Sequence, residues 1–129
     1  MGQAAAKQGD QVTGVDIHVV MVPAPPGPPV PTPLPHNFSG PLDTDLSADV
    51  KIEGAAAATV DSIATNNPPH IPTPPGTAFQ NPPENKGTVL SGSMTVKING
   101  KGAARQGDPV QTCEGMGSIV SGATSVLIG

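Results

Sequence analysis

A chain of 129 residues can bury one modest core, and this one has little with which to fill it: no Trp, no Tyr and two Phe, against 16 Gly and 17 Pro. With a net charge of −4 and only six Lys and Arg, it has no basic patch to follow a phosphate backbone, which excludes nucleic acid as a partner. No stretch reaches the ~18 apolar residues of a membrane span, Met1–Ala4 opens no Sec-type signal, and a single Cys excludes an intramolecular disulfide framework and fits a reducing compartment.

In chain order, Ala5-Ala6-Lys7-Gln8-Gly9-Asp10 reads as a turn, and Val15 to Val20 alternates as a strand. Met21 to Pro35 then holds eight prolines, and Asn66 to Pro83 holds seven more. Because proline cannot donate a ladder hydrogen bond, both read as long extended loops on the outside of the body, about residues 21–36 and 66–83. Ala55 to Ala58 has the composition of a short helix, yet its sister segments end in Gln-Gly-Asp, which punctuates a turn. Thr88 to Gly100 and Ser118 to Gly129 resemble each other, and each reads as two short strands joined by a Ser-Gly turn, with a weaker copy in Phe38-Ser39-Gly40 and Val50 to Gly54.

The Ala-rich element also occurs three times. Ala5 to Asp10 matches Ala103-Ala104-Arg105-Gln106-Gly107-Asp108, and Ala56-Ala57-Ala58-Thr59-Val60-Asp61 is the degenerate middle copy. Each is followed by a β-branched residue two positions on: Val12, Ile63 and Val110. One unit of strand, glycine, Ala-rich turn and loop is therefore written three times. The expectation is one all-β domain over residues 1–129, with small residues crowding a narrow axis and the Gly-Asp aspartates capping turns.

Val96 to Val110, with Thr112-Cys113 after it, resembles the signature of PAAR-repeat proteins, and Ala5 to Asp10 and Ser121 to Gly129 resemble that family's first and last turns. The resemblance implies a small cone-shaped fold of pseudo-threefold symmetry. Its base would cap a trimeric, VgrG-like or phage-like β-helical spike, one monomer per trimer, and sharpen it for membrane piercing by a type VI or related contractile injection system. It further implies a structural zinc near the apex, assembly in the cytoplasm before delivery out of the cell or into a target, and transient contact with the target membrane. The Met21–Pro28 insert departs from the shortest members and marks a PAAR-like subgroup.

Three His (His18, His36, His70) and Cys113 form a donor set suited to tetrahedral zinc. His18 follows Asp10 by eight residues, His70 follows Asp61 by nine and Cys113 follows Asp108 by five, so threefold repetition brings those loops to one end; His36 closes the first Pro-rich stretch. Taken singly, each reads better as an ordinary strand, loop or buried residue than as a ligand. Together, in a chain short of core, they read as a staple. Asp16 could orient an imidazole, but reads more simply as a solvated turn residue. No HExxH motif or nucleophile elbow is present, so no catalytic residue is expected. The alternative role is an adaptor that loads an effector cargo onto the spike through the Pro-rich loops.

Overall fold

A computed structural model describes residues 2–129. They form an all-β protein, with no helix among the described residues. In chain order the strands are β1 (Gln3–Ala4), β2 (Gln11–Val22), β3 (Val30–Thr44), β4 (Lys51–Ile52), β5 (Ala55–Ala56), β6 (Ile63–Thr65) and β7 (Ala78–Phe79). There follow β8 (Lys86–Val89), β9 (Lys97–Ile98), β10 (Lys101–Gly102), β11 (Pro109–Thr112), β12 (Gly115–Ile119) and β13 (Leu127–Ile128).

Six strands pair antiparallel in a closed circuit: β2 with β3, β3 with β6, β6 with β8, β8 with β11, β11 with β12, and β12 back onto β2. Closure removes the open edges that invite further pairing. Each copy of the repeat contributes two strands. Val12, Ala64 and Val110 point inward from the first strand of each copy, Leu42, Val89 and Ile119 from the second, and Phe38 fills the space beside them. Fully burying each large apolar side chain yields about 1.5–3 kcal/mol, against about 1–2 kcal/mol lost per ordered backbone residue. With so few of them, the fold leans heavily on backbone pairing.

Below the barrel sit three two-stranded antiparallel pairs: the hairpins β4–β5 and β9–β10, and β13 with β1. Two of them turn through Glu53-Gly54 and Asn99-Gly100, where all four residues have positive φ (51°, 84°, 53° and 82°), the pattern of a type I′ hairpin turn. Ile52, Ile98 and Ile128 pack there over Ala5, Ala57 and Ala103 as a second, smaller core.

The two cores meet at a ring of backbone hydrogen bonds. Ala6 N–H donates to Ala104 O, Ala104 N–H to Ala58 O and Ala58 N–H to Ala6 O, each at 3.0 Å. All three alanines are fully buried, because three backbones approaching one axis leave no room for a larger side chain. Adjacent hairpins are clasped in the same cyclic sense. Glu53 Oε2 accepts from the main chain and hydroxyls of Thr124 and Ser125, Asn99 bonds Ser47 and Asp49, and the Gly129 carbonyl accepts from Ser93 Oγ.

The ring corrects the register of the middle copy. Ala58 is equivalent to Ala6 and Ala104, so Ala57 to Ser62 is the true counterpart of Ala5 to Asp10. Asp61 then takes the glycine position, with a positive φ of 77° beside 91° at Gly9 and 96° at Gly107. Ser62 takes the aspartate position: its Oγ accepts from Thr59 N as Asp10 accepts from Lys7 N and Asp108 from Arg105 N. The inward residue two places on is Ala64, not Ile63.

Two other expectations change. The Ser-Gly segments are not hairpin turns, since β8 pairs with β6 and β11 whereas β9 pairs with β10; Ser91 to Val96 carries the chain from barrel to hairpin. The first Pro-rich stretch is largely strand, with Val30 to Pro35 in register with Ile17 to Val22. Pro31, Pro33 and Pro35 fall at alternate positions, which leaves the N–H groups of Thr32, Leu34 and His36 for the ladder. Ala55–Ala56 is strand β5, not helix.

Candidate metal centre

The strand period sorts β2 into two faces. Val15 and Ile17 are half exposed, whereas Asp16, His18 and Val20 are buried. Asp16 lies opposite His36 on β3 and opposite Gly115 on β12. A Cβ on Gly115 would strike the Val15 carbonyl, so glycine there lets β12 pass close over β2. That passage sets the tight Cys113-Glu114 turn directly against Asp16.

His70 arrives from the long connection between β6 and β7, which asparagines pin in place. Asn85 Oδ1 accepts from His70 N at 2.8 Å and from Asn66 Nδ2 at 3.1 Å, and buried Asn66 accepts from Ser39 N at 2.9 Å. Farther along, β7 pairs with Val20 and Met21 and lays Phe79 over the imidazoles, its ring centroid 5.7 Å from that of His18 and 5.3 Å from that of His36.

Four donor atoms converge, from Asp16, His18, His70 and Cys113, all within 4.8 Å of one another. Cys113 Sγ donates to Asp16 Oδ2 at 2.8 Å, and His70 Nε2 lies 2.8 Å from the same oxygen. His18 Nε2 is 3.1 Å from Cys113 Sγ and 3.9 Å from Asp16 Oδ2. Asp16 Oδ1 is held separately, by the Thr112 hydroxyl and by Glu114 N at 3.2 Å. The three imidazoles form a triangle with centroid separations of 5.0, 5.4 and 5.6 Å.

The electrostatics suit a cation. Burial alone would raise the Asp16 carboxyl, but hydrogen bonds from Cys113, Thr112, His70 and the Glu114 main chain outweigh it and hold the pKa below the ordinary value. Burial and then the neighbouring His70 lower that of His18, which keeps its imidazole neutral and available as a ligand at neutral pH. Burial, reinforced by the hydrogen bond to Asp16, pushes the Cys113 thiol up to about 12. Without a metal the thiol keeps its proton; a cation at this point would displace it.

Of the four residues singled out in the sequence, three bring ligand atoms into this cluster: His18, His70 and Cys113. His36 is buried and its ring packs on the other two, but its nitrogens face elsewhere: Nδ1 donates to Leu34 O at 2.8 Å and Nε2 accepts from Thr73 N at 3.2 Å. Asp16 is the residue that sequence reasoning undervalued. It is fully buried rather than a solvated turn residue, and its place on the His18 face of an alternating strand was the available signal. The arrangement could hold a metal ion between two imidazoles, a thiolate and a carboxylate.

Comparison with curated proteins and with solved structures returns no match. The family model described as the PAAR motif matches residues 79–129, which run from Phe79 in β7 to the residue after β13. Cys113 lies inside the matched stretch, while Asp16, His18 and His70 precede it. The match, with the Ala103-Ala104-Arg105-Gln106-Gly107-Asp108 element inside it, makes residues 79–129 similar to the PAAR-repeat family.

Proposed function

We propose that this protein is a structural spike tip, which caps a trimeric, VgrG-like β-helical spike and sharpens it for membrane piercing by a contractile injection system. The observation that carries this reading is the ring of Ala6, Ala58 and Ala104, through which one chain presents near-threefold symmetry along an axis. A homotrimer ends in three equivalent strand termini, and a single-chain cap must offer three equivalent surfaces to meet them. The strand pairs β4/β5, β9/β10 and β13/β1 supply these, and Val50, Met94, Val96 and Leu127 beside them expose apolar surface for packing. The opposite end would be the leading point, with assembly in the cytoplasm preceding delivery.

That point is held by structural zinc in this reading, and the protein's role is mechanical rather than catalytic. Zinc bonds near 2.0–2.1 Å to nitrogen and 2.3 Å to sulfur place tetrahedral donors roughly 3.3–3.6 Å apart. Four donor pairs in the cluster, at 2.8, 2.8, 3.1 and 3.9 Å, bracket that spacing. His18, His70 and Cys113 would hold the ion with one further protein donor, leaving no position for substrate. Bound zinc supplies the folding free energy that a small core does not.

Native mass spectrometry of the protein mixed with a purified trimeric β-helical spike tests the capping role. One chain per spike trimer is expected. Absence of any complex at micromolar concentrations, or a ratio of three chains per trimer, overturns it.

A further inference from the structure

We propose that the strand pair β13/β1 is a third type I′ hairpin whose turn lacks one peptide bond, that between Gly129 and Gly2, so that the backbone is a ring opened at one of three equivalent turns. The strand registers carry this. In β4/β5 Ile52 lies opposite Ala55, and in β9/β10 Ile98 lies opposite Lys101, which leaves Glu53-Gly54 and Asn99-Gly100 to make the turns. In β13/β1 Ile128 lies opposite Gln3, and the residues left at the turn are Gly129 on one side and Gly2 on the other. Counting from the ring of alanines gives the same answer. Gly54 and Gly100 stand four residues before Ala58 and Ala104, and Gly2 stands four residues before Ala6.

Both residues are held at that place. The Gly129 carbonyl accepts from Ser93 Oγ and, at 3.2 Å, from Arg105 Nη1. Gly2 runs so close to the last strand that a Cβ on it would lie 2.8 Å from Leu127 Cβ and 3.1 Å from Ile128 N. The residue types also fit. A type I′ turn needs positive φ at both central positions. The two closed turns meet this with Glu53 or Asn99 (φ 51° and 53°) followed by glycine. The open turn has glycine at both positions, and Gly-Gly is among the pairs such turns prefer. Closing the bond calls for rotation at the residue type that resists it least. The opening leaves β1 as a free end, although Ala5 and Ala6 just after it belong to the two cores.

Two circular permutants test the proposal, both beginning at Gly100 and ending at Asn99, with Met1 omitted. In one, Gly129 is bonded directly to Gly2; in the other, two added glycines separate them. The new break is common to both, so their difference in Tm reads the joint alone. The direct joint should melt higher by about 2–5 °C, because doubling the loop adds closure cost and loses the type I′ geometry. Backbone-cyclised proteins carrying the same two joints have no new break and should keep the same order, with the direct ring melting on the order of 10 °C above the open chain. A direct joint that melts below its lengthened counterpart, in the permutants or in the rings, overturns the proposal. So does a direct ring no more stable than the open chain.

Discussion

The two ends of the molecule handle symmetry in opposite ways. At the hairpin end the main features occur three times: Ile52, Ile98 and Ile128 in the small core, Ala6, Ala58 and Ala104 in the ring, and one clasp from each strand pair, through Glu53, Asn99 and Gly129. At the metal end nothing does. The first copy contributes Asp16 and His18 from strand β2, the second His70 from the long β6–β7 connection and the third Cys113 from the short β11–β12 turn. A surface that meets a trimer benefits from three equal parts, whereas one ion with four ligands cannot be shared equally among three copies. The three copies are alike at the hairpin end, where the proposed threefold partner would dock, and unlike at the metal end, where their donor atoms converge.

Perturbing each end in turn sharpens this contrast. The largest effect is expected at the metal end. Removing zinc with a chelator, or substituting Cys113→Ser, should cost several kcal/mol and lower Tm by on the order of 10 °C or more, and chelator should have no further effect on the variant. Calorimetry with and without chelator checks this. A smaller loss is expected at the ring, where Ala58→Leu forces a large side chain onto a fully occupied axis. Overpacking of this kind costs about 1–3 kcal/mol, while zinc stoichiometry, measured by elemental analysis, should stay at the wild-type value.

The smallest effect is expected at a single clasp. Hydrogen bonds from Ser125, then Thr124, hold the Glu53 carboxyl below its ordinary value of 4.5. A carboxyl lowered in the folded state stabilises the fold above its unfolded pKa, and that contribution is lost as pH falls through the folded one. Glu53→Gln should therefore lower Tm slightly near neutral pH, with the difference from wild type closing below about pH 4.5. Thermal melts from pH 6 to pH 3 read this directly. An offset that persists at pH 3 would assign the effect to the shape of the turn rather than to its charge.

The repeats, the all-β class and the crowded axis were legible because Ala-Ala and Gly-Asp pairs carry direct steric and hydrogen-bonding meaning. The register of the middle copy was not, because Asp61 and Ser62 exchange the expected residue types: an aspartate adopts the left-handed turn and a serine supplies the cap. Asn99-Gly100 was the true hairpin signal, obscured by the more conspicuous Ser-Gly pairs. The long β2/β3 ladder was hidden by Pro31, Pro33 and Pro35, whose alternation matters more than their number. At the metal end the histidines and Cys113 could be read from residue type alone. The alternation of β2 puts Asp16 on the His18 face, but its full burial also needs β12 to close onto β2, a contact across 97 residues in the case of Cys113 that no local pattern encodes.

The ring of alanines also bears on how the chain folds. In an open repeat array, neighbouring units dock one after another and intermediate lengths are stable. Here Ala6 bonds Ala104, so the first copy is satisfied only after the last has been made, and the Gln11 main chain likewise reaches Ser121, 110 residues away. Contacts of such sequence separation make folding slow and highly cooperative. A cyclic arrangement admits neither a stable two-thirds product nor a fourth unit, so the number of repeats is set by closure itself.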